Sequence, residues 1–271
     1  MLPQGAPDPR VLPGLADRPE LGLPRVRRAP AAPRLALTGP TLHGALGRPG
    51  VPMTPAGLPR RGSSSADRGR WRATYDQTPY DQLPWFHEGP SLTVEQAVER
   101  GFLAPGSAVL DLGCGAGSNL LFLARRGYEA HGIDLAPGAV AAARARAASA
   151  GLRLDVREGD ALALEFPAGR FAALVDIGCF HTVPIRRRGA YAQEAARVLR
   201  PGGGFVLSWV AREHETDTGP PHRPSLAEVV DLLESRFLFV RTEFRPAGEA
   251  AGPAVYHAWL TRRLRPQPPA R

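Results

Sequence analysis

The stretch Asp111-Leu112-Gly113-Cys114-Gly115-Ala116-Gly117-Ser118-Asn119 joins an apolar run to an amphipathic one. Ahead of it, 108–112 is apolar except for one acid, the pattern of a buried parallel strand. Behind it, Leu120, Leu121, Leu123 and Ala124 recur at helical spacing and Gly127 stands where a helix commonly ends in a left-handed residue, so the spacing predicts a helix over 119–126. Between the two, glycines at alternate positions remove Cβ atoms where a ligand must touch main chain. The amides of the helix start then aim at an electron-rich partner. The turn reads as a cofactor cradle.

Its register selects the cofactor. A dinucleotide fingerprint needs Gly-x-Gly-x-x-Gly so that a pyrophosphate can sit on the helix N-terminus. Here the third glycine, Gly117, comes one residue early. Gly-x-Gly-x-Gly preceded by an acid suits S-adenosylmethionine, which has no phosphate and carries an ammonium that an acid can pair with.

The pattern repeats downstream. A second strand over 129–133 ends in Asp134, close to the roughly 20-residue interval at which an acid meets ribose hydroxyls in this class of unit. Pro137 opens an alanine-rich helix that stops at Gly151. A third strand is expected over 152–157, before Gly159-Asp160-Ala161, and a fourth over 171–175, before Asp176. Acids at the carboxyl ends of successive parallel strands lie where open α/β sheets bind ligands. The expected fold is α/β: a Rossmann-like, doubly wound, mostly parallel sheet with helices on both faces.

From about residue 109 to 210 the chain resembles the class I S-adenosylmethionine-dependent methyltransferases. The glycine turn, Asp134, Gly159-Asp160, Asp176 and the Leu199-Arg200-Pro201-Gly202-Gly203-Gly204 turn before a fifth strand fall in that family's order. The resemblance implies seven strands, the last antiparallel. It places Gly113, Gly115 and Gly117 against the cofactor, Asp111 near its methionine amine, Asp134 on the ribose and Asp160 on the adenine amino group. Cys114, Leu135, Ala161 and Asp176 complete the implied cofactor wall. Each acid has a plainer alternative as a strand end or helix cap.

Composition divides the chain. Residues 1–70 hold 13 of the 29 prolines and 11 arginines against 4 acids, with neither helical nor strand periodicity, and read as a disordered extension. Residues 71–264 read as the methyltransferase domain and 265–271 as a disordered tail. The formal charge of +8 therefore sits mainly at the N-terminus, since 71–271 carry 23 basic and 22 acidic residues. That near balance argues against a nucleic-acid partner for the domain. Met53 is the only methionine besides Met1, so translation from it is a further expectation. No run of 18 apolar residues is present, and two cysteines make neither a disulfide framework nor a metal cluster. The expectation is a cytoplasmic monomer with no metal and no membrane partner.

The acceptor side lies outside the cradle. Residues 71–86, with two Trp, two Tyr and one Phe, read either as a lid over the cofactor or as a staple on the domain edge, ahead of a helix with Thr93 and Gln96 spaced as a capping box. Residues 176–184 leave the fourth strand where an acceptor would meet the sulfonium methyl. Pro84-Trp85 together with 176–184 is similar to the thiopurine methyltransferase and tellurite-resistance-like branch, which implies a small, soft or polarisable nucleophile such as a thiol, halide or oxyanion. Trp85 and Cys179 are the expected acceptor contacts. No Asn/Asp-Pro-Pro-Tyr/Phe follows the fourth strand, as amino-nitrogen methylation would need, and no Pro-Cys, as pyrimidine C5 attack would need.

Transfer is an in-line displacement, so alignment does most of the work. Were the acceptor a hydroxyl or amine, His181 is the candidate base, with packing or capping as the alternative role. Arg186-Arg187-Arg188 either draws an anionic acceptor or starts a helix. A methyltransferase of a macromolecule, and a cofactor-binding protein without transfer activity, are the competing readings. Ser225 and Glu228 are spaced as a capping box for a helix to residue 236, followed by a strand pair over 237–244 and 254–261.

Overall fold

A computed structural model describes residues 62–212, 222–248 and 253–265. Seven strands make one sheet in the order β3-β2-β1-β4-β5-β7-β6. They are β1 (Ala108–Leu112), β2 (Glu129–Asp134), β3 (Asp155–Glu158), β4 (Phe171–Ile177), β5 (Leu199–Val210), β6 (Phe237–Arg245) and β7 (Val255–Arg262). Neighbours from β3 through β5 pair in parallel, whereas β7 runs antiparallel to both β5 and β6. The chain winds outward from β1 to β3 and returns through β4 to the other side. This reversal opens a crevice at the carboxyl ends of β1 and β4, where ligands bind in open α/β sheets.

Helices cover both faces: α1 (Ser65–Gln77), α2 (Leu92–Glu99), α3 (Ser118–Arg125), α4 (Pro137–Ser149), α5 (Arg188–Val198) and α6 (Leu226–Leu233). On one face Leu110, Leu112, Leu174, Phe205 and Leu207 pack with Tyr191, Ala195 and Val198 of α5 and Val229 and Leu233 of α6. On the other, Val109, Val175 and Val206 meet Val94 of α2, Leu120 and Leu123 of α3 and Ala143 of α4. Successive strand residues thus feed opposite cores, as the two-residue period of a strand requires. None of the described helices is long and apolar enough to cross a membrane.

Several boundaries differ from those the sequence suggests. Helix α1 begins at Ser65, inside the stretch read as a disordered extension, and Ser64 caps it by accepting the Asp67 amide at 3.1 Å. The rest of that extension, up to residue 61, lies outside the described residues, as does 266–271. Thr93 and Gln96 form no capping box: the cap of α2 is Ser91, and buried Thr93 accepts the indole N–H of Trp259 at 3.1 Å. A buried indole needs that acceptor more than the helix end needs a cap. The expected turn over 199–204 is a bulge within β5, which pairs Leu199 with Phe171 and resumes at Gly204 opposite Ala173. The third strand is shorter than expected and starts at Asp155. The capping box at α6 is present as read, with Ser225 and Glu228 bonding each other's backbone amides.

Candidate functional site

The crevice holds a cavity of about 250 Å³, floored by the glycine turn and roofed by residues 71–87. Gly113, Gly115 and Gly117 adopt φ of 68°, 54° and 81°, the left-handed region that side chains disfavour. At Gly113 space matters as well, since a Cβ there would stand 2.6 Å from the Cβ of Cys179. The ends of β1 and β4 can therefore close on each other only with glycine at this position. Gly117 is the N-cap of α3 and offers no side-chain cap, so the first-turn amides remain available to a ligand.

Three carboxyls stand behind this floor, and the structure gives each a different task. Asp111 is 1% exposed, lines the cavity, and its Oδ2 has no hydrogen-bond partner among the described residues. Burial, followed by the charge of Asp176, pushes its pKa well up, while a hydrogen bond from Asn119 acts against the rise. A buried carboxylate oxygen without a partner calls for a cation or donor from a ligand. Asp134 accepts from Gly115 N and Ala136 N, both at 2.9 Å, and also lines the cavity. These amides fix the carboxyl while further lone pairs stay free for hydroxyls.

Asp176 does not line the cavity, contrary to the expectation that it contacts the cofactor. It is fully buried: one oxygen accepts from Cys179 N at 2.8 Å and Phe180 N at 3.2 Å, the other from the Tyr191 hydroxyl at 2.5 Å. Burial raises its pKa to about 7 despite these donors. Its task is to shape the turn that carries Cys179 and His181.

Asp160 and Ala161 line a smaller adjoining cavity of about 40 Å³, together with Gly159, Leu135 and Trp71. Both Asp160 oxygens are engaged. One accepts from Ser63 Oγ at 3.0 Å and Leu162 N at 2.9 Å, the other from Ser63 N and, at 2.9 Å, from Arg68. That space is large enough for a water molecule but not for a purine. An adenine can reach Asp160 only when residues 63–68 shift.

The aromatic lead-in lies over the cavity. Trp71, Tyr75, Tyr80, Trp85 and Phe86 line the cavity, with Trp71 edge-on to Trp85 at 5.8 Å and Tyr80 edge-on to Phe86 at 5.2 Å. Burial and the Asp134 charge push the Tyr75 hydroxyl pKa up, and a Cβ on Gly115 would lie 3.2 Å from that hydroxyl. Arg146 of α4 ties this roof to the floor. Its guanidinium donates to Ala116 O at 2.7 Å and Glu88 Oε1 at 2.9 Å, and sits 5.1 Å from the Phe86 ring centre.

Cys114, Leu135 and Cys179 line the cavity. Burial pushes both thiols' pKa values well up, so they are protonated wall rather than nucleophiles. His181 also lines the cavity, but its Nδ1 accepts the Val210 amide at 3.3 Å. Burial, then Arg188 and Arg223, lower its pKa to about 4. A base needs an available lone pair, and this ring offers an N–H instead. The Arg186 to Arg188 run does not line the cavity. Arg188 is buried at the start of α5, 5.2 Å from the Phe180 ring centre, and donates to Val183 O at 3.2 Å.

Comparison with known proteins agrees with this geometry. The family model described as "Methyltransferase domain" matches residues 109–203. A 2-heptyl-1-hydroxyquinolin-4(1H)-one methyltransferase of Mycobacteroides abscessus is 33% identical over 152 residues, covering 54% of this chain and 66% of that protein. A demethylmenaquinone methyltransferase of Thermus thermophilus is 36% identical over 127 residues, covering 46% of this chain and 53% of its own length. The chain thus spans between about half and two thirds of these relatives. The structure of a Burkholderia thailandensis 1,6-didemethyltoxoflavin-N1-methyltransferase superposes with a TM-score of 0.59 at 21% identity, covering 73% of this chain and 88% of that one, and shares the fold.

Proposed function

Residues 109–203 matching a methyltransferase domain model, we propose that the protein is a class I S-adenosylmethionine-dependent methyltransferase that transfers the cofactor's methyl group to a planar, oxygen-bearing aromatic small molecule. The observation that carries this reading is the five-ring lid over the glycine turn. Flat aromatic faces stack with flat acceptors, and such pairs contribute about 0.5–1.5 kcal/mol each beyond the area they bury. The hydroxyquinolone and demethylmenaquinone in the names of the two relatives are acceptors of this kind.

In this reading Asp111 Oδ2 pairs with the cofactor's ammonium, Asp134 holds the ribose hydroxyls, and the glycine turn lies against the chain between them. When bound, the cofactor supplies an electrophilic methyl on sulfonium. The protein's own residues align the two reactants and exclude water. Holding them at attack distance accounts for about 7–11 kcal/mol of the barrier. The lid rings also favour a cationic sulfonium in their midst by about 0.5–2 kcal/mol.

The finer resemblance to the thiopurine and tellurite-resistance-like branch supports a second acceptor class, thiols and halides. It rests on Pro84-Trp85 and 176–184, whose Trp85, Cys179 and His181 line the cavity. A screen for S-adenosylhomocysteine release with hydroxyquinolones, naphthoquinols, aryl thiols, iodide and selenite separates the two. Turnover confined to the ring-oxygen compounds supports the proposal. Turnover confined to thiols or halides replaces it with the second reading.

A further inference from the structure

We propose that His181 selects the acceptor as a neutral donor, giving its Nε2–H to a ring carbonyl or oxyanion beside the atom that is methylated. The proposal rests on the cavity being the transfer site and names the group that recognises the acceptor's oxygen.

Strand β5 ends at Val210, whose amide is directed at His181 Nδ1 at 3.3 Å. An amide nitrogen only donates, so Nδ1 is the unprotonated nitrogen and the neutral ring carries its hydrogen on Nε2. No protein partner for Nε2 occurs among the described residues, nor is Nε2 among their buried unpartnered atoms. The ring belongs to the cavity wall with Cys179 and Thr182, and its Cε1 lies 3.3 Å from where a Cβ on Gly178 would be. No side chain on residue 178 therefore crowds this edge of the ring.

The surroundings fit a donor better than a base. A histidine that shuttles protons is commonly oriented by a carboxylate on its other nitrogen, which stabilises the imidazolium. Here an amide does the orienting, and among the described residues the charged groups that bear on the ring are the guanidinium groups of Arg188 and Arg223. Both disfavour a second positive charge and favour an oxyanion nearby. With a hydroxyl acceptor the proton leaves to water. As the new oxygen–carbon bond forms, the carbon–sulfur bond breaks and its electron pair stays on sulfur, cancelling the sulfonium charge and the oxyanion charge together.

Two variants and two readouts test this. His181→Gln keeps an N–H donor near the position of Nε2, whereas His181→Phe keeps a ring without one. The probe is 2-heptyl-1-hydroxyquinolin-4(1H)-one, titrated calorimetrically into the S-adenosylhomocysteine complex. The expected loss is about 10- to 100-fold for His181→Phe, the range of a hydrogen bond to a polar or charged oxygen, with His181→Gln retaining most of the affinity. Long-range ¹⁵N spectra of the labelled imidazole should show the Nε2–H tautomer without titration between about pH 5.5 and 8. An imidazole that titrates in that range or carries its hydrogen on Nδ1 overturns the proposal, as does a His181→Gln protein that binds as poorly as His181→Phe. Wild-type protein that binds S-adenosylhomocysteine but not the quinolone counts against the acceptor class, and the spectra then decide the histidine's state independently.

Discussion

Replacing Asp111 with Asn separates binding from stability, because the buried carboxyl acts on them with opposite sign. Its Oδ2 has no partner among the described residues, and Asp176 adds a second acid to the same buried site. A charge-assisted hydrogen bond to a ligand ammonium contributes about 1.5–3 kcal/mol, so Asp111→Asn should weaken S-adenosylhomocysteine binding roughly 10- to 150-fold. The free protein should melt no lower than wild type. A carboxyl whose pKa burial raises above the ordinary carboxylate range contributes stability at acid pH that is lost as pH climbs through the raised value, and Asn has no such loss. The same linkage makes wild-type affinity rise with pH toward the raised pKa, since the ammonium prefers the ionised carboxyl, whereas the variant's affinity should change far less. Calorimetry between about pH 5 and 8, with melting curves of the free proteins, measures all three. Wild-type-like affinity in Asp111→Asn, or a lower melting temperature for the free variant, would refute the role assigned to Oδ2.

Three further outcomes follow from the same geometry. Trp85→Ala removes the ring edge-on to Trp71, and the acceptor KM should rise roughly tenfold with cofactor affinity preserved, by the worth of a well-placed aromatic contact; an unchanged KM in steady-state kinetics would place the acceptor elsewhere. Arg68→Ala loosens the segment that occupies Asp160, and because Arg68 is 45% exposed the gain in S-adenosylhomocysteine affinity should be modest, about two- to fivefold; weaker binding would make that segment part of the cofactor site instead. Ser225→Ala removes one half of the α6 capping box and should cost about 1 kcal/mol, roughly 2–4 °C in melting temperature, without affecting ligand binding.

The sequence made the cofactor half legible because its signals are local. Gly113 to Gly117, Asp134 and the β1 and β4 patterns each depend on neighbours a few positions away, and sheet order follows from the way such units wind. Helix α1 is partly legible: Ser64 and Asp67 are spaced as a cap, and Trp71 and Tyr75 lie one turn apart, but they directly follow a proline-rich stretch without periodicity. Arg146 left no trace, because its partners Ala116, Ser118 and Glu88 are 28 to 58 positions away and nothing in an alanine-rich helix marks one arginine as inward. A still longer separation, 97 positions, hides the engagement of Asp160 by Ser63. For Asp176 and His181 the residue and the place were readable but the task was not. What decides it is which atoms already have partners, and the Tyr191 hydroxyl and the Val210 amide arrive from other elements.

The most direct test of methyl transfer at this cavity uses S-adenosylmethionine labelled with ¹³C at its methyl group, with 2-heptyl-1-hydroxyquinolin-4(1H)-one as acceptor and mass spectrometry as readout. One labelled methyl on the quinolone is expected for each S-adenosylhomocysteine formed, with formation of both strongly reduced in Asp111→Asn when the cofactor is below saturation. S-adenosylhomocysteine that accumulates without a labelled acceptor, or transfer unaffected by that substitution, would contradict it.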